Sequence, residues 1–480
     1  MSLKSKSITG LFWSFAENFG LRIVSVSTFF FLAGMLSARD FGLMALANTY
    51  IYFINIFVSQ GFTGAIVQRK DVTEKHLSSA FWGNAVIHLV LFFLSFFSAS
   101  LVAGIYTSPE LIPIIRVLSF SFIISAVGKI HYSIHQRKFH FKILAIANLG
   151  GILAGSIIGI GAALYGLGIW SLVFQSLAQV LISNIIYWIR SDWSPKWIFS
   201  VTAAKEILVF GTKLMMNNIV QFTNRYADDL IIGYFFGMQS LGYYSFAYKI
   251  YNTVIDVVLL PVSRVMLPLF SSLQDDKGKF IYTYLTMSKV NGYLSLLAFI
   301  GLGFVIPDAI LLTYGIKWVP STPFIQIFSL GGIFLFIYVL TEQSLISLGQ
   351  VKQSILINLA LGGANIGIIL FLIRYGMEAV AYTYFIRSII LLPLLLFVIR
   401  KYVGIRSITL GMTLAKPYLM ALICALLLGV TVFVLKGQFA LQLGLKVVVI
   451  GITFLLTVFV FETRLVKQLL STKRPVVKAN

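Results

Sequence analysis

Along this chain, uninterrupted apolar runs recur from the first dozen residues to nearly the last, separated by short breaks rich in charge, glycine and proline. A helix rising 1.5 Å per residue crosses a hydrocarbon core of about 30 Å in roughly 20 residues, the length of these runs. The pattern predicts membrane-spanning helices. A transmembrane β-barrel would instead alternate apolar and polar positions over segments of about ten residues, and continuous runs argue against it.

Set against turn and charge signals, the runs predict fourteen spans, at about 11–35, 42–62, 78–103, 112–133, 143–164, 169–189, 207–232, 241–262, 281–305, 320–346, 355–373, 379–399, 417–435 and 445–462. The first resembles a signal peptide, with Lys4 and Lys6 ahead of it, but it is long and lacks a small-x-small cleavage pattern before Arg39, so it reads as retained. Basic residues set the orientation. The N-terminus, alternate loops and C-terminal tail carry twenty-three Lys and Arg, and the intervening loops carry four. That imbalance predicts both termini in the cytoplasm.

Composition agrees: of 480 residues, 59% are hydrophobic and 11% charged, and the mean hydropathy is +0.92. The formal charge of +21 would suggest a nucleic-acid partner in a soluble protein; here the positive-inside distribution accounts for it, and no nucleic acid is expected. Cys424 is the only cysteine, which excludes a disulfide and a thiolate metal site within the chain. His131, His135 and His140 lie among Arg137, Lys138 and Lys142, whose charge opposes metal binding.

The chain also repeats. LSARDFGLMALA (Leu36 to Ala47) aligns with FGMQSLGYYSFA (Phe236 to Ala247) at an offset of 200, matching Gly42 with Gly242, and LYGLGIW (Leu164 to Trp170) faces RYGMEAV (Arg374 to Val380) at an offset of 210. Six spans per repeat insert both halves the same way up. The expected organisation is an all-α membrane protein with a six-helix N lobe (1–200), a six-helix C lobe (201–405), two extra helices (406–463) and a basic tail (464–480). Two such bundles facing each other form an alternating-access transporter.

Several spans carry ionisable groups. An Arg at a helix centre costs about 2.5–3.5 kcal/mol even on lenient insertion scales, so such residues face protein or water. Ser14, Asn18, Arg22 and Ser25 share one face of span 1, whereas Glu17 lies about 140° round the helix from Arg22. Span 7, the repeat counterpart, carries a stripe of Asn217, Gln221, Asn224 and Asp228 flanked by Asn218, Arg225 and Asp229. Lys249, Asp256, Lys289, Glu342 and Arg387 follow in spans 8, 9, 10 and 12. Two readings fit: structural ion pairs between these cations and Glu17, Asp228, Asp256 or Glu342, or a cationic cavity for an anionic substrate. Lys129, Arg264, Arg116 and Lys446 lie near span ends and are expected to snorkel. Pro261 offers a bend within span 8.

LSARDFGLMALA, GFTGAIVQRKDVTEKHLSSAFWGN (Gly61 to Asn84), QRKFHFKILA (Gln136 to Ala145), DDLIIGYFFGMQSLGYYSFAYKI (Asp228 to Ile250) and YGIKWVPS (Tyr314 to Ser321) resemble the polysaccharide-transport flippases of the multidrug/oligosaccharidyl-lipid/polysaccharide exporter superfamily. The resemblance implies a flippase that carries a polyprenyl-diphosphate-linked oligosaccharide, the undecaprenyl form in bacteria, from the inner to the outer leaflet of the plasma membrane. It implies no cofactor, a possible H+ or Na+ gradient as driving force, membrane lipids as surroundings, and a polysaccharide polymerase and other assembly proteins as candidate partners. On that reading Arg22, Arg225 and Arg387, with Lys249, bind the diphosphate. Asn18, Ser25, Asn217, Asn218, Gln221 and Asn224 line the sugar path, and Glu17, Asp256 or Glu342 couple to the ion. A cation-coupled multidrug antiporter and a lipid II flippase of the same superfamily are the alternatives. An integral-membrane glycosyltransferase would need an extramembrane acid/base constellation, which the longest loops, about 190–206 and 400–416, do not offer.

Overall fold

The computed structural model describes residues 3–56, 64, 66–67, 69, 71–435 and 437–456, with the side chains of 3–12, 14–16, 203–218 and 220 outside that description. Among the described residues there are helices and no strands. In chain order they are α1 (Leu3–Met35), α2 (Ala38–Asn55), α3 (Glu74–Ile105), α4 (Leu111–Arg137), α5 (Phe141–Leu164) and α6 (Trp170–Ile189). A helical segment Val201–Ser271 follows, broken at Gly237 into α7 (201–236) and α8 (238–271). Then come α9 (Lys277–Tyr314), a 3-10 turn (Gly315–Ser321), α10 (Thr322–Ser347), α11 (Val351–Leu372), α12 (Met377–Ala381), α13 (Thr383–Val398), α14 (Ser407–Val434) and α15 (Phe439–Leu456).

Eleven described helical stretches are long and apolar enough to cross a membrane. Two of them, Gln221–Ser271 of 51 residues and Lys277–Ser347 of 71, are longer than one crossing needs. The first turns back at Gly237. Tyr244 and Asp228, 16 residues apart, meet at 2.8 Å, whereas an unbroken helix would hold them about 24 Å apart at 1.5 Å per residue. Gly237 has φ 78° and ψ 176°, a conformation that glycine adopts without steric cost. Its repeat counterpart Ser37 ends the same loop in another way, capping α2 in a reciprocal box with Asp40. These reversals are consistent with about fourteen spans. The break falls at Gly237, and α8 runs on through Pro261 and Pro268 to Ser271.

The chain divides into two compact units, Met1–Ser245 and Phe246–Asn480. In the first, α5 and α6 pack through a glycine ladder: a methyl group on Gly151 would lie 2.0 Å from Ser183 Oγ, and one on Gly155 2.6 Å from the Gln175 carbonyl. Small residues at four-residue spacing bring helices this close within a bilayer. The segment after α6 is fastened to the start of α3: Trp193 Nε1 donates to Glu74 (2.8 Å), Trp82 Nε1 to the Lys196 carbonyl (2.9 Å), and the Ser200 amide to Ser79 Oγ (2.8 Å).

In the second unit α9 is the centre. Gly332 of α10 sits on the Phe299 ring, Gly292 meets Leu414 and Pro417 of α14, and Gly301 meets Ile450 of α15. Leu297, Cys424 and Leu428 complete that contact. Lys446 corrects the expectation of snorkelling. It is 2% exposed, and its Nζ lies 2.5 Å from Asp308 Oδ2 and 3.0 Å from the Phe304 carbonyl. Two buried hydrogen bonds, one to a carboxylate, outweigh exposure of the ammonium.

Candidate functional site

In the first unit α1 turns one side to α5. Asn148 donates to Glu17 Oε1 (2.5 Å) and accepts from the Tyr187 hydroxyl (2.6 Å), while Thr28 donates to Ser156 (2.8 Å). The Glu17 carboxylate is thus engaged in helix packing. Arg22, about 140° round the helix from Glu17, points away from that contact, and Asn18, Arg22 and Ser25 are half-buried.

On α7, Gln221 and Arg225 are exposed and Asn224 half-buried, with the Arg225 guanidinium 5.6 Å from the Tyr226 ring centre. The side chains of Asn217 and Asn218 lie outside the described residues. Phe222, the repeat counterpart of Arg22, is buried and packs on Tyr52, Phe53 and Tyr226. Asp228 Oδ2 accepts from the Tyr244 hydroxyl at 2.8 Å, and Asp229 Oδ2 from Thr49 Oγ1 at 3.2 Å.

In the second unit the half-buried Arg387 of α13 donates to Asn365 Oδ1 (3.3 Å), and its guanidinium carbon lies 4.9 Å from the Tyr384 ring centre. Tyr384 in turn packs on Tyr248, Tyr251 and Phe328. Among the described residues no carboxylate lies within ion-pair distance of Arg387; ion pairs elsewhere include Arg39–Glu110, Lys279–Asp276 and Lys446–Asp308. Glu342 accepts from Asn358 Nδ2 (3.0 Å), and the same amide's oxygen accepts from Tyr338 (2.7 Å). Lys249 and Lys289 are half-buried and Asp256 is exposed.

The geometry keeps a guanidinium, able to grip a phosphate in bidentate fashion, beside an amide and an aromatic ring in the middle of a span. Such an arginine binds an anion without first breaking a salt bridge. Arg22 and Arg225 lie in the first unit, and Lys249 and Arg387 in the second. Sequence reading missed Asn148, Asn365 and Asn358, the amides that hold Glu17, Arg387 and Glu342. Their signal was asparagine set within an apolar run, one in that of α5 and two in that of α11, as in LGGANIG.

The sequence matches the family described as Polysaccharide biosynthesis protein over residues 31–323, from the end of α1 to the start of α10. The chain belongs to that family. It is similar to the teichuronic acid biosynthesis protein TuaB of Bacillus subtilis (strain 168), 26% identical over 338 residues and 69% of each chain. It is similar also to the lipopolysaccharide biosynthesis protein WzxC of Escherichia coli (strain K12), 25% identical over 69% of this chain and 68% of that one. The succinoglycan biosynthesis transport protein ExoT of Rhizobium meliloti (strain 1021) is 26% identical over 69% and 67%. The fold is shared with lipid II flippase MurJ in an inward closed conformation, with a TM-score of 0.78 and 20% identity over 95% of this chain and 100% of that one. An inward-facing multidrug transporter of the MATE family aligns with a TM-score of 0.62 and 12% identity over 77% and 92%. Family membership agrees with what the quoted motifs implied, and the fold is that of this transporter superfamily.

Proposed function

We propose that this protein is a flippase that moves an undecaprenyl-diphosphate-linked oligosaccharide from the cytoplasmic to the outer leaflet of the bacterial plasma membrane by alternating access, for export of an exopolysaccharide or O-antigen-type polymer. The observation that carries this reading is Arg387, a mid-span guanidinium held by an amide and a ring with no carboxylate in ion-pair reach among the described residues. A diphosphate crossing a low-dielectric path needs fixed cations, and the sugars need amide and hydroxyl partners. Arg22, Arg225 and Lys249 supply further charge; Asn18, Ser25, Asn217, Asn218, Gln221 and Asn224 supply the polar lining. The repeat halves 1–200 and 201–405 act as the two lobes, with 406–463 as accessory helices and 464–480 as a basic tail.

Both termini are cytoplasmic on the positive-inside distribution. Polymerase and other assembly proteins receive the flipped unit. Coupling to an H+ or Na+ gradient through Glu17, Asp256 or Glu342 is a separate proposal, removed by transport that persists with both gradients collapsed. The main test is Arg22→Ala and Arg387→Ala in the native host. Polymer at the surface should fall and lipid-linked precursor accumulate on the inner leaflet. Unchanged export and precursor levels in both variants would refute the cationic path.

A further inference from the structure

Where the repeat-matched helices α2 and α8 meet, both sides of the contact lie within the first unit. A methyl group on Gly42 would lie 1.7 Å from the Met238 carbonyl oxygen, and one on Gly242 would lie 1.7 Å from the Ala38 carbonyl oxygen. Residues 38 and 238, and 42 and 242, are counterparts at the offset of 200. The contact is therefore reciprocal. Backbone lies on backbone, with no side chain interposed, as in small-residue crossings of membrane helices. Helices that touch this way separate without withdrawing side chains from sockets.

Two more layers follow along α2. At Thr49, which is 0% exposed, the hydroxyl donates across to Asp229 of α7. The neighbouring carboxylate, Asp228, is held by Tyr244 of α8, so adjacent residues of α7 fasten one helix of each repeat. At Tyr52 and Phe53 the rings pack on Phe222 and Tyr226, with centroids 4.9 Å apart for Tyr52–Tyr226 and 5.2 Å for Phe53–Phe222. From residue 42 to residue 53 the helix descends about 16 Å at 1.5 Å per residue, roughly half of a 30 Å core. Ala38, Gly42, Leu46, Thr49 and Phe53 share one face by their spacing.

We infer that this stack is the outer gate of the transport path: a Gly42–Gly242 backbone closure, a hydroxyl–carboxylate latch at Thr49–Asp229 with Tyr244–Asp228 bracing it, and an aromatic plug of Tyr52, Phe53, Phe222 and Tyr226. The inference rests on the alternating-access reading and on the topology that places residue 38 outside. A permanent helix contact has no need of two ionisable groups at membrane depth, where they are costly and mark moving or conducting parts. It also explains why Arg22 has Phe222 as its counterpart. One half uses that position for charge and the other for closure.

The test uses the full chain in right-side-out spheroplasts, with Cys424→Ser and the buried reporter Leu46→Cys, which leaves every latch residue intact. An impermeant thiol reagent added outside should label the parent slowly, and Gly42→Leu or Gly242→Leu should raise labelling at least tenfold. Equal labelling in parent and glycine variants, at equal folded protein by size-exclusion profile, would overturn the gate. Thr49→Cys with Asp229→Cys provides a second arm. Oxidation should stop polymer export, and a reductant should restore it. Full export with the disulfide quantitatively formed would also overturn the proposal, and should the pair be inactive when reduced, the labelling arm decides. Labelling reports opening whatever the cargo, so a gate that opens in a protein exporting no polymer would separate this inference from the flippase reading.

Discussion

Replacing Lys446 by methionine keeps the length of the side chain and removes its charge. The ammonium is 2.5 Å from Asp308 Oδ2, and the two residues are 2% and 6% exposed. Breaking a buried ion pair from one side leaves an uncompensated charge and costs about 3–5 kcal/mol, whereas replacing both partners by apolar groups of similar volume is often neutral or stabilising by about 1–4 kcal/mol. Lys446→Met and Asp308→Leu should each lower the thermal unfolding midpoint of the detergent-purified protein by several degrees, read by tryptophan fluorescence. The double variant should unfold above both. Hydrogen exchange should show where the loss falls: α15 should open first in Lys446→Met, because what then holds it on α9 is apolar packing of Val449 and Ile450. Single variants that unfold with the parent, or losses that add in the double variant, would refute the claim that this pair docks α15.

Gly332→Ala should also destabilise, since its methyl group would lie 2.4 Å from the Phe299 ring; overpacking costs about 1–3 kcal/mol, and a second-site Phe299→Leu should recover part of it in the same melting assay. Trp193→Phe removes the donor to Glu74 and should cost about 1.5–3 kcal/mol, the range for a hydrogen bond to a charged group, with faster proteolysis between α6 and α7 as the readout. Outside the spans, the carboxyl of Glu110 is held below the usual glutamate range by its own backbone amide and then by Arg39. A depressed folded value means the contribution is present above the ordinary pKa of about 4.3 and is lost as pH falls through the lower folded value. Glu110→Gln should flatten that acid-side loss, by no more than about 1 kcal/mol because the pair is exposed, and an undiminished slope would count against it.

The spans were legible because apolar runs of membrane length leave few alternatives. Boundaries failed where a local signal was overruled by packing. The sequence places the end of span 8 near residue 262, yet α8 continues to Ser271. The sequence places the start of span 13 at about residue 417, yet α14 begins at Ser407, with Leu410 and Leu414 buried. Long-range pairing was illegible for a simpler reason. Nothing near Lys446 announces Asp308, 138 residues earlier, and nothing near Glu17 announces Asn148. Helical spacing could say that Arg22 was not the partner of Glu17, which holds, but not which residue was. The repeat was the one non-local signal in the sequence. Its matched glycines, Gly166 (φ 76°) and Gly376 (φ 100°), share a positive φ.

The fastening of residues 193–200 onto the start of α3 bears on how the chain is made. Its hydrogen-bond partners there, Glu74, Ser78, Ser79 and Trp82, belong to α3, synthesised earlier. The first six helices can therefore be sealed together while the ribosome is still delivering α7, and the nascent second half emerges beside a finished template rather than a loose tether. A split gene encoding 1–200 and 201–480 separately should yield a first fragment that accumulates alone, whereas a cut before Trp193 would leave α3 unsealed.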